Sequence, residues 1–265
     1  MNICDFYLQN HAFLDQNRLY FSTASSKIYK TDNAGFTFEF VNYEETWHMN
    51  SSINGLEIVG DYIYAIRTRH SYPFFIDYFN DVNNIYFSWL DYTTELLKLD
   101  MDLNLIDKRS SAALTSFNIS SHENSILIPD NSTIDAFDVE SLERLSSFSY
   151  ITGQDVEFVF KIIPTINYIL AVGEGGGVWV STNSGKNFTK KTFPELEMIF
   201  SSTVDSQGNV YICGKNGFLA YSDPNLTEWN IVETNTQENI YFVGVIDNKL
   251  IASGSNAYFE VFNLQ

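Results

Sequence analysis

Residues 181–188 read STNSGKNF, a small polar turn between the strand-like GVWV (177–180) and the run TKKTF (189–193). The same order recurs earlier, where Thr31, Asn33, Gly35 and Phe38 stand 150 residues before Ser181, Asn183, Gly185 and Phe188. A looser copy, SDPNLTEW (222–229), keeps Ser222 and Trp229 at an offset of 41 and has Leu226 where the others have glycine. Gly173 and Gly214 are also 41 apart, and Gly254 follows 40 residues after Gly214.

Each copy shares one grammar: an apolar run, a glycine or small polar turn, a second run, the serine or threonine turn, and a last run. NYILAVGE and GVWVST alternate with period two and are rich in β-branched and aromatic residues, which predicts half-buried strands. A four-stranded antiparallel unit repeated every 40 to 45 residues is the pattern of a β-propeller blade. Blades are expected at 11–42, 53–110, 113–150, 154–194, 196–234 and 239–265. The second and third rest on weak alternation in LKLDMDLNLIDKR and STIDAFDVESLERL, so seven blades is the alternative count. The last unit stops after YFEVFNLQ, one strand short, and the N-terminal run NICDFYL can complete it. Closing the ring in this way leaves no lone sheet edge. The expectation is an all-β chain folded as a single six-bladed β-propeller domain over 1–265, closed by its N-terminal strand.

The repeated turns resemble the Asp-box of bacterial neuraminidases, Ser-x-Asp-x-Gly-x-x-Trp. Asn33 and Asn183 stand for the aspartate and Phe38 and Phe188 for the tryptophan. The surrounding AVGEGGGVWVSTNSGKNF is similar to repeats of propellers related to photosystem assembly factors. The resemblance implies a structural turn between the outer two strands of a blade, away from the central channel. In it the glycine takes a positive φ, the Asn and Ser or Thr side chains bond the turn's backbone, and the aromatic packs beneath. By the same resemblance GEGGG (173–177) is a blade turn; as a phosphate loop it lacks the following Lys and Ser or Thr.

One segment breaks the repeat. Residues 70–94 carry nine aromatics: Tyr72, Phe74, Phe75, Tyr78, Phe79, Tyr86, Phe87, Trp89 and Tyr92. Large amphipathic rings on an insertion suit a protein partner and also suit sugar stacking, while rings folded inward would cap a face or plug the channel. These nine are the candidate partner or glycan contacts.

Charge excludes whole classes. With 33 acidic against 15 basic residues the net charge is −18, a field that repels nucleic acid backbones and anionic lipid surfaces. The densest basic stretches, RTRH (67–70) and Lys190-Lys191, are too short to track a phosphate backbone. Neither a nucleic acid nor a membrane is therefore an expected partner.

Cys4 and Cys213 make no disulfide framework, and MNICDFYLQN lacks the basic start and long apolar run of a signal peptide, so synthesis in a reducing cytoplasm is expected. The four histidines have no metal spacing, and DMDLN (100–104) fails as a calcium loop because Leu105 stands where glycine is required. A sialidase would need an arginine triad, yet the five arginines, Arg18, Arg67, Arg69, Arg109 and Arg144, avoid the three best repeats. No catalytic, cofactor or metal residue is assigned.

Two functions follow. The first is a non-enzymatic propeller that contacts protein partners in a larger assembly. The lysine-poor, Asn-, Ile-, Phe- and Tyr-rich composition is similar to that of bacteriophage tail, neck or fibre components. The second is a carbohydrate-binding or glycoside-hydrolysing propeller of the sialidase type.

Overall fold

The computed structural model describes residues 8–23, 27–42, 49–71, 92–112, 118–129, 133–149, 158–192 and 198–264. The chain divides into two compact units, Met1–Ile119 and Ser120–Gln265. All long elements among the described residues are strands.

In the first unit, β1 (Leu8–Phe13), β2 (Leu19–Thr23), β3 (Lys27–Thr31) and β4 (Glu39–Asn42) form one antiparallel sheet in chain order. The next sheet holds β5 (Met49–Val59), β6 (Tyr62–Ser71), β7 (Tyr92–Asp100) and β8 (Leu105–Ala112). The aromatic insertion thus joins β6 to β7. Its residues 72–91, with eight of the nine candidate rings, lie outside the described residues, as does NICDFYL apart from Leu8. Tyr92 opens β7, its backbone opposite His70.

In the second unit, β9 (Ser120–His122), β10 (Ser125–Pro129), β11 (Thr133–Asp138) and β12 (Arg144–Ser149) form the third sheet. The fourth contains β13 (Val159–Pro164), β14 (Ile169–Gly173), β15 (Gly177–Ser181) and β16 (Thr189–Thr192). The fifth contains β17 (Ile199–Val204), β18 (Val210–Gly214), β19 (Leu219–Ser222) and β20 (Trp229–Ile231). The sixth has three described strands, β21 (Ile240–Ile246), β22 (Lys249–Gly254) and β23 (Phe259–Asn263). The sheets fall within a few residues of the repeat spans expected from sequence. The two weakly patterned stretches are the β7–β8 and β11–β12 hairpins.

One expectation needs correction. NYILAVGE was expected to be half-buried, yet every residue of β14 is buried, as is every residue of β18. The reason is layering: within the second unit each middle sheet has a neighbour on both faces. Ile169 and Ala171 pack with Leu127, Ile134 and Ala136 of the third sheet. Leu170 and Val172 face the other way, onto Ile199, Val210 and Ile212 of the fifth. Alternation still assigns residues to faces, but both faces are dry, so the alternating sets are both apolar. In the first unit Tyr20 and Ile28 pack on Ile53, Ile63 and Leu97 in the same manner.

The turn between the third and fourth strands is built in two ways. In the first and fourth sheets it is the Thr31–Phe38 and Ser181–Phe188 turn, where Gly35 and Gly185 take φ of 89° and 81°. In the second, third and fifth sheets an aspartate accepts backbone N–H groups ahead of a leucine in left-handed conformation. Leu103, Leu142 and Leu226 have φ of 65°, 54° and 54°, and each donates its N–H to the carbonyl of Asp100, Asp138 or Asp223 at 3.0 Å. The left-handed conformation costs a non-glycine residue about 1–2 kcal/mol. All three leucine side chains are buried, which returns about 1.5–3 kcal/mol each. Leu226, which breaks the glycine pattern in sequence, therefore does the glycine's conformational work and adds core.

DMDLN, which fails as a calcium loop in sequence, forms the β7–β8 turn. Asp100 Oδ1 accepts the N–H groups of Asp102 and Asn104 at 2.9 and 2.8 Å, and Asp100 Oδ2 accepts Asn104 Nδ2 at 2.9 Å. These bonds hold the Asp100 carboxyl below the usual carboxylate range.

Candidate functional site

The two glycine-type turns are closed by their own side chains. Gly185 N–H donates to Ser181 Oγ at 3.0 Å, Ser181 Oγ–H to Asn183 Oδ1 at 3.0 Å, and Asn187 N–H to Asn183 Oδ1 at 2.9 Å. The earlier copy repeats this: Gly35 N–H to Thr31 Oγ1 at 3.0 Å and Thr37 N–H to Asn33 Oδ1 at 2.9 Å. Phe188 is buried with its ring 5.0 Å from that of Phe148, and Phe38 stands edge-on to Phe21 at 5.3 Å. In the third copy Ser222 Oγ–H instead donates to the Glu228 carbonyl at 2.7 Å, while Trp229 packs at the edge of the core with Leu226. With the polar groups of these turns bonded inward, they offer little to a ligand.

A different set of residues is periodic and accessible. The first strands of the fourth, fifth and sixth sheets each carry a β-bulge at one position. Pairing slips between Val159 and Lys161, between Ile199 and Ser201, and between Ile240 and Phe242. The extra residues are Phe160, Phe200 and Tyr241. A bulge leaves its residue out of the ladder and re-aims its side chain. Because β13, β17 and β21 lie side by side, the three rings line up across three sheets. Centroid separations are 5.9 Å from Phe160 to Phe200 and 5.0 Å from Phe200 to Tyr241, both tilted. Such spacing is that of interacting aromatic pairs. Tyr241 is 51% exposed and Phe242 beside it 42%.

In these three sheets a glycine pairs with the residue just before the bulge: Gly173 with Val159, Gly214 with Ile199 and Gly254 with Ile240. A Cβ on Gly173, Gly214 or Gly254 would fall 1.8, 2.2 or 2.0 Å from the carbonyl oxygen of Phe158, Met198 or Asn239. Those three carbonyls accept the N–H of the residue after each glycine: Glu174 at 2.9 Å, Lys215 at 3.1 Å and Ser255 at 2.9 Å. Only glycine lets the two backbones approach so closely. The same end of the unit is laced by polar side chains. Asn239 Nδ2 donates to the Tyr241 hydroxyl at 3.2 Å, and Asn239 Oδ1 accepts Asn216 N–H at 3.2 Å. Glu174 Oε2 accepts Phe158 N–H at 3.2 Å, and Glu238 Oε2 accepts the Ser255 hydroxyl at 3.1 Å. A shallow cavity of about 390 Å³ adjoins, lined by Lys215, Asn216, Phe218, Ile231, Thr234 and Gln237.

The first unit treats its bulges differently. Pairing slips between Leu8 and Asn10 and between Ile53 and Gly55. At the second slip stands Asn54, buried, whose Nδ2 donates to Thr68 Oγ1 at 2.9 Å. Nearby polar chemistry is internal: buried Arg67 donates through Nε to Glu95 Oε2 at 2.7 Å, and Lys108 Nζ stands 3.6 Å from Glu95 Oε1. Arg18 pairs with Asp15 at 2.7 Å, and Arg144 lies 3.5 Å from Asp135. No group of three or more His, Cys, Asp or Glu is placed to hold a metal among the described residues.

The sequence reading did not single out Phe160, Phe200 and Tyr241, although the signal exists. They recur at 40 and 41 residues, in step with Gly173, Gly214 and Gly254. What was missing is the bulge, which turns a residue in an apolar run toward solvent.

No protein-family model and no curated protein matches the chain in sequence. Solved structures do match in fold. One is described as YCF48 bound to D1 peptide, with a TM-score of 0.66 and 12% identity over 97% of this chain and 78% of that one. Another is the WD40 β-propeller domain of Doa1, with a TM-score of 0.65 and 8% identity over 98% and 83%. The chain has a β-propeller fold.

Proposed function

We propose that this chain is a protein-interaction propeller that docks a partner polypeptide at the aromatic row and performs no catalysis. The observation that carries the reading is the row itself: three rings on successive bulges, one of them half exposed, held by glycine-dependent backbone contacts. The similar YCF48 structure, described as bound to D1 peptide, is in keeping with a propeller that takes a polypeptide. On this reading the chain is one six-bladed domain of the Asp-box type, with the fourth strand of the last blade supplied by residues 2–7. Among the described residues the last sheet has three strands and ends on β23, which is in keeping with that closure. Deleting residues 1–7 then lowers the unfolding temperature, and an unchanged temperature refutes closure.

The setting we propose is a bacteriophage tail, neck or fibre, supported by composition, with the insertion 70–94 as a second contact. The experiment is reconstitution with the products of the neighbouring genes, followed by analytical ultracentrifugation. Co-sedimentation that falls with Phe200→Ala and Tyr241→Ala supports the reading. Turnover of glycosides that is abolished by a single carboxylate substitution would replace it with the carbohydrate-active alternative.

A further inference from the structure

We propose that the occupant of the aromatic row is an extended, arginine-bearing segment of the partner, its guanidinium groups stacked on the rings. The inference rests on the interaction reading above and adds the chemistry of the ligand. Three observations support it.

The first is the geometry of the row. Phe160, Phe200 and Tyr241 are spaced 5.9 and 5.0 Å apart across adjacent sheets. In an extended peptide, residues i and i+2 face the same way about 6.6 Å apart. Alternate side chains of one strand can therefore each meet one ring.

Charge is the second observation. The chain carries 33 acidic and 15 basic residues, so the long-range field draws cations to it. Glu174 follows β14 and accepts the N–H of Phe158, two residues before Phe160, while Glu238 precedes Tyr241 by three residues and accepts the Ser255 hydroxyl; both of these donors are uncharged. A carboxylate bonded to neutral donors keeps its charge available to an incoming cation.

The third is the ring face. Aromatic faces attract guanidinium more than any neutral group of the same shape, and arginine forms most such contacts. An anionic ligand would meet the long-range repulsion of the net charge of −18.

The test uses the full chain and fluorescein-labelled short peptides of alternating arginine and serine, read by fluorescence anisotropy. Control peptides replace arginine with citrulline, which keeps the shape and removes the charge, or with glutamate. The arginine peptide is expected to bind at least about tenfold more tightly than the citrulline one, and to weaken as salt rises. Phe200→Leu and Tyr241→Leu keep apolar bulk while removing the ring face, and together are expected to cost about tenfold. Glu174→Gln keeps its acceptor for Phe158 N–H and is expected to weaken only the charged peptide. Equal binding of arginine and citrulline peptides, or unchanged binding by the leucine variants, overturns the proposal. Should the leucine variants lose the assembly partner while arginine shows no preference, the ligand class falls and the interaction reading stands. Should they lose neither, both fall.

Discussion

Replacing Gly214 with alanine tests the link between the periodic glycines and the bulged row. The added Cβ would lie 2.2 Å from Met198 O and 3.2 Å from Ile199 Cα, whereas carbon and oxygen sit at about 3.3–3.6 Å even in close contacts. The start of β17 must therefore withdraw by about 1 Å. Met198 O also accepts Lys215 N–H at 3.1 Å, so the withdrawal strains or breaks that bond. Overpacking of this kind costs about 1–3 kcal/mol and the hydrogen bond about 1 kcal/mol more, for a total of about 2–4 kcal/mol. For a chain of this size the melting temperature falls by roughly 5–15 °C. Thermal unfolding followed by tryptophan fluorescence reads the shift. Gly60→Ala is the control, with φ of 59° and nothing within 4 Å of the new Cβ, where only about 1–2 kcal/mol of backbone strain is expected. A Gly214→Ala protein that melts within about 2 °C of the parent would refute the close-approach argument.

Three further outcomes are expected. Leu226→Ala keeps the unfavourable φ and loses the buried side chain, so it destabilises by about 2–5 kcal/mol, whereas Leu226→Gly regains about 1 kcal/mol and is no less stable than the alanine variant. Urea midpoints of the two decide it, and alanine ranking clearly above glycine would show that the strain is not there. In a Cys4→Ser background, burial pushes the Cys213 thiol far up, so a thiol reagent should label the protein only on unfolding; rapid labelling of native protein would contradict the burial. The Ser141 backbone N–H and hydroxyl hold the Asp138 carboxyl below the ordinary carboxylate value. A depressed folded-state pKa contributes stability that is present above the unfolded value and lost as pH falls through the folded one. Asp138→Asn should therefore flatten the fall of the unfolding midpoint below about pH 4, and an unaltered acid profile would show that the turn does not depend on the charge.

Much of the fold is readable in the chain because its determinants are local. Asn183, Gly185 and the glycine series at 173, 214 and 254 are each required by a turn or a backbone approach within one sheet, so their spacing reports the sheet period directly. Leu103, Leu142 and Leu226 were less legible. A leucine in a turn reads as a broken motif until the neighbouring sheet that buries it is known. Full burial of β14 and β18 was hidden for the same reason, since alternation within one strand does not reveal what covers its second face.

By itself the sequence determined the all-β class, the repeat length, the turn chemistry and the net charge of −18. All of these depend on residues close together in the chain or on composition alone. Only tertiary structure decided that Phe160, Phe200 and Tyr241 meet, because each belongs to a separate sheet and is turned by a bulge that no local pattern announces. It decided equally that Arg67 is tied to Glu95, since a buried charge must find its counter-charge across strands 28 residues apart in sequence.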